Sequence, residues 1–290
     1  MNMTVDAAEL ILGTLPEIAD ALATGATSSA DLVDAYTTRI EAVDRSGPTL
    51  QSVLAVNPDA LSQAEASDAR RAAGETLGAL DGVPILLKDN IESLDPMPTT
   101  AGSTALTENI TGRDSPLVAG LRAQGAVILG KTNLSQWANI RSSDSSSGWT
   151  SLGGQVKNPH VLNRNPCGSS SGSGAAAAAS LAAGTVGTET NGSIICPSNA
   201  SGIVGFKPTV GVVSQEYIVP ISFSQDTAGP MTKSVMGAAM MMNAMDTTEA
   251  PTDYVAALDA GSLNGARVGV ARFSQGSNPL ILERFEAGLS

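Results

Sequence analysis

The segment from Cys167 to Thr209 reads CGSSSGSGAAAAASLAAGTVGTETNGSIICPSNASGIVGFKPT and carries most of the information about the fold. It places two serines, Ser169 and Ser193, in glycine-rich surroundings on either side of a run of small residues. That run predicts a helix over Ser173–Ala183, and a helix that is apolar all round is expected to be buried. A serine hydroxyl is a weak nucleophile until a base removes its proton, so a catalytic role for either serine requires a base nearby.

Two residues are candidates for that base. The only histidine of the chain, His160, follows Pro159 in a polar loop and is expected to have a structural role. Lys88 follows the apolar run GVPILL, which predicts a buried strand. The free pKa of lysine is about 10.4, but burial lowers the pKa of an amine by up to several units. A buried Lys88 can therefore act as a base, although a solvated charge or a salt bridge with Asp89 is the ordinary alternative for a lysine at the end of a strand.

These residues resemble the amidase signature family of serine hydrolases, which cleaves amide and sometimes ester bonds. Three flanking segments also resemble the family: AQGAVILGKTNLSQWAN from Ala123, SGWTSLGGQVKNP from Ser147 and ISFSQDTAGPM from Ile221. The resemblance extends from about Glu9 to Phe273. Within the family the most similar subgroup is the peptide amidases, which remove the C-terminal amide of peptides.

The resemblance implies an α/β fold with a central mixed β-sheet flanked by helices on both faces. We expect residues 1–75 to form an N-terminal helical segment that packs on a core of residues 76–290, giving a single domain overall. Members of the family normally continue well beyond the length of this chain. The resemblance therefore leads us to expect that the C-terminal part of the fold is missing.

The family uses a Ser–cis-Ser–Lys triad, and the resemblance assigns its three roles. Ser193 falls on the nucleophile, Ser169 on the bridging serine and Lys88 on the base. The cis peptide bond of the bridging serine is expected at Gly168–Ser169, and Ser170 is expected to orient the loop.

Two further sets of residues follow from the same resemblance. The oxyanion hole is expected to use the backbone N–H groups of four consecutive residues, Thr190, Asn191, Gly192 and Ser193. Asn133 and Asp226 are expected to hold loops around the site. No cofactor is implied.

The predicted function is hydrolysis of carboxylic amides, with C-terminal peptide amides as the favoured substrate. The alternatives are another amidase or esterase, an amidotransferase A-type subunit, and an inactive truncated relative that serves as a binding scaffold. The family pattern Ser-Ile-Arg-x-Pro lacks its arginine here, because Ile195 follows Ile194, and this disfavours the amidotransferase branch. Asn191 stands where relatives carry Gly or Asp.

Composition excludes several other classes. The net charge of −12 argues against a nucleic-acid-binding protein. One histidine and two separated cysteines cannot supply the ligand spacing of a zinc site. Cys167 and Cys196 lie near the two serines and could approach each other, but we expect two buried thiols. No apolar run is long enough to span a membrane, and the acidic N-terminal sequence lacks the basic region of a signal peptide, which predicts a cytoplasmic location. Nothing in the sequence specifies an oligomeric state.

Two familiar motifs are present by chance. Gly125–Thr132 matches the P-loop pattern, but its four central residues are an apolar strand preceded by a helix, so we do not expect nucleotide binding. Gly168–Gly172 matches the nucleophile elbow around Ser170, but no strand precedes it and no histidine follows it.

The remaining element predictions come from hydrophobic periodicity and turn residues. Residues 5–75 are predicted to be helical, with Ser28 or Ser29 as one N-cap and a helix over Pro58–Ala73. The other predictions are a helix over Pro116–Gln124, a strand over Ala126–Leu129, a long ordered loop over residues 141–174, a core helix over Met236–Met245 and a strand over Val268–Phe273.

Overall fold

A mixed β-sheet forms the centre of the first of two compact units, Met1–Val255, in the computed structural model, which describes residues 6–259, 261 and 263–289. Its six strands are β1 (Val53–Val56), β2 (Pro84–Lys88), β3 (Val127–Thr132), β6 (Gly184–Glu189), β7 (Val204–Gly205) and β8 (Thr227–Thr232). They lie in the order β1-β3-β2-β6-β8-β7. β2 runs parallel to both β3 and β6, whereas β1, β8 and β7 pair antiparallel with their neighbours. The predicted mixed sheet is confirmed.

The helices of this unit are α1 (Ala7–Leu10), α2 (Leu15–Ala23), α3 (Ser29–Arg39), α4 (Ala60–Ala73), α5 (Pro116–Ala123), α6 (Ser171–Ala178), α7 (Ile195–Ser201) and α8 (Val235–Met245). A π-helical turn, Ile40–Arg45, extends α3, and two 3₁₀ turns span Thr104–Leu106 and Gln136–Asn139. A separate hairpin pairs β4 (Trp149–Thr150) with β5 (Gly154–Gln155).

Helices cover both faces of the sheet, as predicted. Successive side-chain positions along a strand point to opposite faces. On β6, a Cβ on Gly184 would meet Met241 of α8, whereas the next residue, Thr185, donates its hydroxyl to the carbonyl of Ser173 in α6. The sheet therefore lies between α8 on one side and α6 on the other.

The helix of small residues packs closely enough to fix the site that follows it. α6 is buried along Ser171–Ala177. A Cβ added to Gly172 would lie 2.3 Å from the backbone oxygen of Asn133, and the Gly172 N–H donates to that same oxygen at 2.9 Å. Only glycine permits this approach, which connects the start of α6 to the end of β3.

Local signals account for several helix ends. Ser28 caps α3 by accepting a hydrogen bond from the Asp31 N–H, which confirms one of the two predicted caps. Gly74 ends α4 with a φ of 74°, in the left-handed conformation that glycine adopts freely. The predicted core helix at Met236–Met245 is α8, with Met241, Met242 and Met245 buried.

Four element predictions differ from the structure. Residues 5–75 are not all helical, because β1 at Val53–Val56 pairs with β3. The small-residue helix spans Ser171–Ala178 instead of Ser173–Ala183, because the chain must leave the helix before β6 begins at Gly184. Residues 141–174 are not one uninterrupted loop, because they contain the β4–β5 hairpin and the start of α6.

The second compact unit, Ala256–Ser290, contains the fourth difference. Val268–Phe273 is not a strand, since residues 268–271 are irregular and Arg272–Ser274 forms a 3₁₀ turn. Val268 and Phe273 are exposed, so the β-prone sequence has no sheet to join within the described part of this unit. The unit ends in α9 (Pro279–Leu289). The proposed boundary between residues 75 and 76 stays a prediction.

Candidate active site

Lys88 is the last residue of β2, and its side chain is fully buried. Its Nζ lies 2.8 Å from Ser169 Oγ, although the two residues are 81 positions apart in the chain. Burial lowers the pKa of Lys88 to about 7, against the opposing charges of Glu189 and Asp226. A substantial fraction of this amine is therefore neutral near pH 7, as a base requires.

Thr188 on the neighbouring strand β6 orients the lysine. Lys88 Nζ lies 2.8 Å from Thr188 Oγ1 and 3.3 Å from the Thr188 carbonyl oxygen. A neutral amine has two N–H donors and one lone pair. As an ammonium group, Lys88 donates to Ser169 Oγ and to both Thr188 oxygens. When it is neutral, two N–H donors remain for Thr188, and the lone pair can accept the hydroxyl proton of Ser169. The sequence alone does not single out Thr188; its position two residues beyond Val186 on the buried strand is the available signal.

The segments that carry the two serines of the predicted triad are hydrogen-bonded to each other. The Gly168–Ser169 peptide bond is cis, at the position the sequence predicts. The N–H of Ser170 donates to the carbonyl oxygen of Ser193 at 3.1 Å, which brings the two serine segments together. Ser170 Oγ in turn donates to the Thr188 carbonyl at 3.0 Å, so its side chain orients the loop. Ser193 is 8 % exposed.

Glu189 organises the turn that carries Ser193. Its buried carboxylate accepts N–H groups on both sides of the serine: Gly192 at 2.7 Å, Ile194 at 2.7 Å and Ile195 at 3.0 Å. In the sequence, Glu189 is one of several scattered carboxylates. Only the fold, which turns the chain back at Thr190, brings the three N–H groups to it.

The predicted oxyanion donors differ in their availability. The Gly192 N–H is already donated to Glu189. The N–H groups of Thr190, Asn191 and Ser193 have no acceptor among the described residues. These three groups are therefore free to bind a substrate oxygen. Thr190, the first predicted member, directs its hydroxyl to Asp226 Oδ1 at 2.6 Å.

Asn133 and Asp226 both connect loops around the serines. Asp226 accepts Thr190 Oγ1 on one oxygen, and on the other the N–H groups of Ile221 at 2.7 Å and Ser222 at 2.9 Å. Asn133 donates its amide to the Gln51 carbonyl at 2.9 Å and accepts Thr150 Oγ1 at 2.8 Å.

Cys167 and Cys196 form a disulfide, so the expectation of two buried thiols is wrong. Their Cα atoms are 5.9 Å apart, within the range that a disulfide spans. Cys167 is half-buried and Cys196 is exposed. The bond joins the residue before Gly168–Ser169 to the helix that follows Ser193, and it therefore braces the two serine segments.

The alternatives considered for other motifs find no support in the geometry. His160 lies at the end of α7, with Nε2 2.8 Å from the Ser201 carbonyl oxygen, in a structural contact. Residues Val127–Thr132 of the P-loop-like sequence form the buried strand β3, and Lys131 points into the interior instead of toward a phosphate. Within the described ranges, no group of three or more His, Cys, Asp or Glu side chains is arranged to hold a metal ion. No helix in this part of the chain is both long and apolar enough to span a bilayer.

Comparison with known proteins adds an independent observation. The family profile described as Amidase matches residues 31–287. The chain belongs to the amidase family. A protein of Arthroderma benhamiae named as an amidase is 39% identical over 321 aligned residues, which cover 98% of this chain and 54% of that protein.

Two further relatives represent two branches of the amidase family. The A-type subunit of the glutamyl-tRNA(Gln) amidotransferase of Acidothermus cellulolyticus is 43% identical, with 91% of this chain and 52% of that protein covered. The solved structure of the native peptide amidase of Stenotrophomonas maltophilia is 49% identical, with 85% of this chain and 50% of that chain covered and a TM-score of 0.78. The chain thus spans about half the length of the relatives it matches.

Proposed function

We propose that this chain hydrolyses carboxylic amides through an acyl-enzyme on Ser193, with C-terminal peptide amides as the substrate. The observation that carries the proposal is the hydrogen bond between Lys88 Nζ and Ser169 Oγ in a site where the lysine is fully buried. Because burial brings the pKa of Lys88 to about 7, the amine can both accept and return a proton under physiological conditions.

In the proposed first step, neutral Lys88 accepts the Ser169 proton as Ser169 accepts the Ser193 proton. Ser193 Oγ then bonds to the carbonyl carbon, and the carbonyl π electrons move to the oxygen. The free N–H groups of Thr190, Asn191 and Ser193 are the donors for that oxyanion. A well-placed donor of this kind contributes about 3–4 kcal/mol to the stability of the transition state.

The second half of the reaction uses the same residues in reverse. Ser169 gives a proton to the substrate nitrogen and regains one from Lys88. The C–N bond breaks, the nitrogen leaves as ammonia, and the acyl group stays on Ser193. Water then attacks the acyl carbon, and one of its protons passes through Ser169 to Lys88. The bond from that carbon to Ser193 Oγ breaks, a proton returns from Lys88 through Ser169 to Ser193 Oγ, and the carboxylic acid is released.

The choice of peptide amides is supported by two observations. The peptide amidase of Stenotrophomonas maltophilia has high identity over most of this chain. In addition, an exposed Ile195 stands two residues after Ser193, where the Ser-Ile-Arg-x-Pro pattern has arginine. An apolar side chain at this edge of the site favours a neutral substrate group over a carboxylate.

A second candidate is an A-type amidotransferase subunit, and the 43% identity to such a protein favours it. That function would take glutamine as the ammonia donor and would require a partner chain. Glutaminase activity that appears only after a partner chain is added would support it. Hydrolysis of a peptide amide by this chain alone would exclude the need for a partner.

The decisive experiment is intact-mass measurement after treatment with a serine-directed fluorophosphonate, followed by peptide mapping. We expect one adduct, on Ser193, and its loss in Lys88→Ala. Lys157→Ala is the matched control, because Lys157 is a half-buried lysine outside the site whose ammonium group bonds to the Pro48 carbonyl. Absence of an adduct on folded protein would contradict the mechanism and favour the inactive-scaffold alternative.

The cytoplasm is the location proposed from the sequence, and the Cys167–Cys196 disulfide counts against it. Cytoplasmic proteins usually keep their thiols reduced. Cells lysed in the presence of an alkylating reagent should therefore yield alkylated Cys167 and Cys196 if the protein is cytoplasmic. Recovery of the intact disulfide would instead point to an oxidising compartment.

A further inference from the structure

The disulfide between Cys167 and Cys196 lies beside both proposed catalytic serines. Cys167 is two residues before Ser169, and Cys196 is three residues after Ser193. The chain contains two cysteines, and this bond uses both of them. The bond therefore cannot exchange with another thiol of the same chain, and a thiol from outside is needed to open it.

One end of the bond is open to solvent. Cys196 is exposed in the first turn of α7, whereas Cys167 is half-buried. The sulfur of Cys196 is therefore the more accessible target for an incoming thiolate, and the sulfur of Cys167 is the leaving group. Exposed disulfides are more easily reduced than protected structural ones, and regulatory disulfides belong to the exposed kind.

Apart from the sulfur bond, a backbone hydrogen bond and helix packing hold the two serine segments together. The Ser170 N–H donates to the Ser193 carbonyl oxygen at 3.1 Å. A Cβ on Gly174 of α6 would lie 3.0 Å from the Pro197 carbonyl oxygen of α7, so these two helices are in close contact. These contacts are not covalent. They keep the segments adjacent, but they fix the separation of the two serines less tightly than the disulfide does.

The backbone of Cys167 favours movement once the sulfur bond opens. Its φ is 64°, in the left-handed region that is unfavourable for a residue with a Cβ. Its N–H donates to Asn165 Oδ1 at 3.0 Å, and its carbonyl oxygen accepts the Ser171 hydroxyl at 2.7 Å. Both of these residues lie in the same segment as Cys167, so neither connects it to α7. Without the sulfur bond, relaxation of φ at Cys167 would move Ser169, which follows closely in the chain.

The proposed proton relay is sensitive to such a movement. Ser169 Oγ lies 2.8 Å from Lys88 Nζ, and in the proposed mechanism it must also accept the proton of Ser193. The other two members are fixed by residues away from the disulfide: Lys88 by Thr188, and the turn of Ser193 by Glu189. Ser169 is therefore the member of the relay whose position depends most on the sulfur bond.

We propose that Cys167–Cys196 is a redox modification site that controls turnover: the bonded form is active, and reduction by a dithiol lowers the activity reversibly. The proposal rests on the proposed function. One thiolate of the dithiol attacks Cys196 Sγ, the S–S bond breaks, and Cys167 leaves as a thiolate that takes up a proton. The second thiol of the reductant then attacks the mixed disulfide and releases Cys196. The protein gains two electrons and two protons, and the dithiol is oxidised to its own disulfide.

Other contacts of the site make this change reversible. The Ser135 N–H donates to the Ser169 carbonyl oxygen at 2.9 Å, and Ser170 Oγ donates to the Thr188 carbonyl oxygen at 3.0 Å. Neither hydrogen bond involves a sulfur atom, so both can persist when the disulfide opens. The reduced protein should therefore stay folded, with its two thiols close enough to be oxidised again.

The test measures kcat of the full chain for a peptide amide before and after treatment with dithiothreitol, with circular dichroism as the check on folding. We expect kcat to fall about 100-fold, as for a catalytic group displaced by about 1 Å, and to return after treatment with oxidised glutathione. A folded, reduced protein with the same kcat as the oxidised form would overturn the proposal. Unfolding on reduction would also overturn it, because the bond would then be a requirement for folding and not a switch.

Cysteine variants separate the sulfur bond from other effects of the reductant. The double variant Cys167→Ser with Cys196→Ser should have the kcat of the reduced parent and should not respond to dithiothreitol. A response in this variant would overturn the proposal, because the reductant would then act elsewhere. Each single variant leaves one free thiol, and iodoacetamide should alkylate Cys196 in Cys167→Ser faster than Cys167 in Cys196→Ser. The opposite order would overturn Cys196 as the point of attack.

Failure of the proposed function has a different signature. If the oxidised parent gives no fluorophosphonate adduct on Ser193 and hydrolyses no amide, hydrogen exchange replaces turnover as the readout. The Ser170 N–H donates to the Ser193 carbonyl oxygen, so its exchange rate reports the contact between the two segments. Faster exchange of this N–H in folded, reduced protein would support redox control of the site, and an unchanged rate would overturn it.

Discussion

Lys88 and Lys131 lie on adjacent parallel strands of one sheet, and neither ammonium group reaches solvent. Burial lowers the pKa of both, to about 7 for Lys88 and about 8 for Lys131. Their partners differ. Lys88 meets the hydroxyls of Ser169 and Thr188, whereas Lys131 meets the Ile91 carbonyl and the Thr99 hydroxyl.

The charges around the two lysines differ as well. Lys131 is influenced most by Asp89, a carboxyl that is itself buried and whose pKa is raised to about 6 by desolvation. The negative charge of Asp89 attracts the ammonium group of Lys131, and this attraction opposes the effect of burial on the pKa of Lys131. Burial therefore affects both lysines alike. The hydrogen bond to the Ser169 hydroxyl distinguishes Lys88.

The largest effect that would test this comparison is on turnover. Lys88→Ala should lower kcat for a peptide amide by about 10⁴-fold or more, because the serines lose their only base. Circular dichroism and thermal melting check that the fold is retained. Activity in Lys88→Ala within tenfold of the parent would contradict the assignment of the base.

The matching change at the second lysine should act on stability instead. Lys131→Met leaves Asp89 buried without its counter-charge, so the free energy of unfolding should fall by about 3–5 kcal/mol. Urea denaturation followed by fluorescence measures this change. The double variant Lys131→Met with Asp89→Asn is the control, and it should recover much of the loss. A single variant as stable as the parent would show that the pair is unimportant.

The disulfide connects the two serine segments near Lys88 and has no counterpart at Lys131. Its removal therefore tests a feature of the Lys88 site only. The bond closes a loop with a sequence separation of 29 residues, and a loop of this length contributes about 3–4 kcal/mol to stability in the chain-entropy view. The double variant Cys167→Ser with Cys196→Ser should unfold correspondingly earlier in urea. The stability of this double variant should not depend on a reducing agent, whereas the stability of the parent protein should fall when the agent is added. Equal stability of parent and variant under oxidising conditions would contradict the bracing role.

The smallest expected effect concerns the pH dependence of kcat/KM. The proposed base must be neutral, and its pKa is about 7, so kcat/KM should rise with pH through that value and fall about tenfold per pH unit below it. Initial rates between pH 5 and 9 give the profile. The folded fraction of Lys131→Met should keep the same midpoint, because the titrating amine is Lys88. A midpoint of the pH profile that shifts in Lys131→Met would indicate that Lys131, and not Lys88, is the titrating base.

Several parts of this comparison could be predicted from sequence, and the reasons are local. GVPILL is a continuous apolar run, which predicts a buried strand ending at Lys88. Long motifs around Ser169 and Ser193 predict the family and the cis bond. The P-loop-like match at Lys131 could be dismissed because its centre is apolar.

Other parts carried no local signal. β6 and β8 read GTVGTE and TAGPMT, with too few apolar residues to predict strands, yet both are fully buried. Threonine tolerates burial there because its hydroxyl finds a backbone acceptor, as Thr185 does on Ser173 and Met231. At Val268–Phe273 the sequence predicted a strand that is absent from the structure. A β-prone sequence forms a strand only when a neighbouring strand accepts its hydrogen bonds.

The chemical groups of this protein can be read from its sequence: one lysine at the end of a buried strand, two serines in glycine-rich turns and a helix of small residues that packs between them. The tertiary structure decided which lysine meets a serine, that the two cysteines are bonded, and that Glu189 occupies the Gly192 N–H. The physical reason is that pKa values and hydrogen bonds depend on distance and desolvation. Pairing β2 with β6 in the sheet creates both between residues that are far apart in the chain.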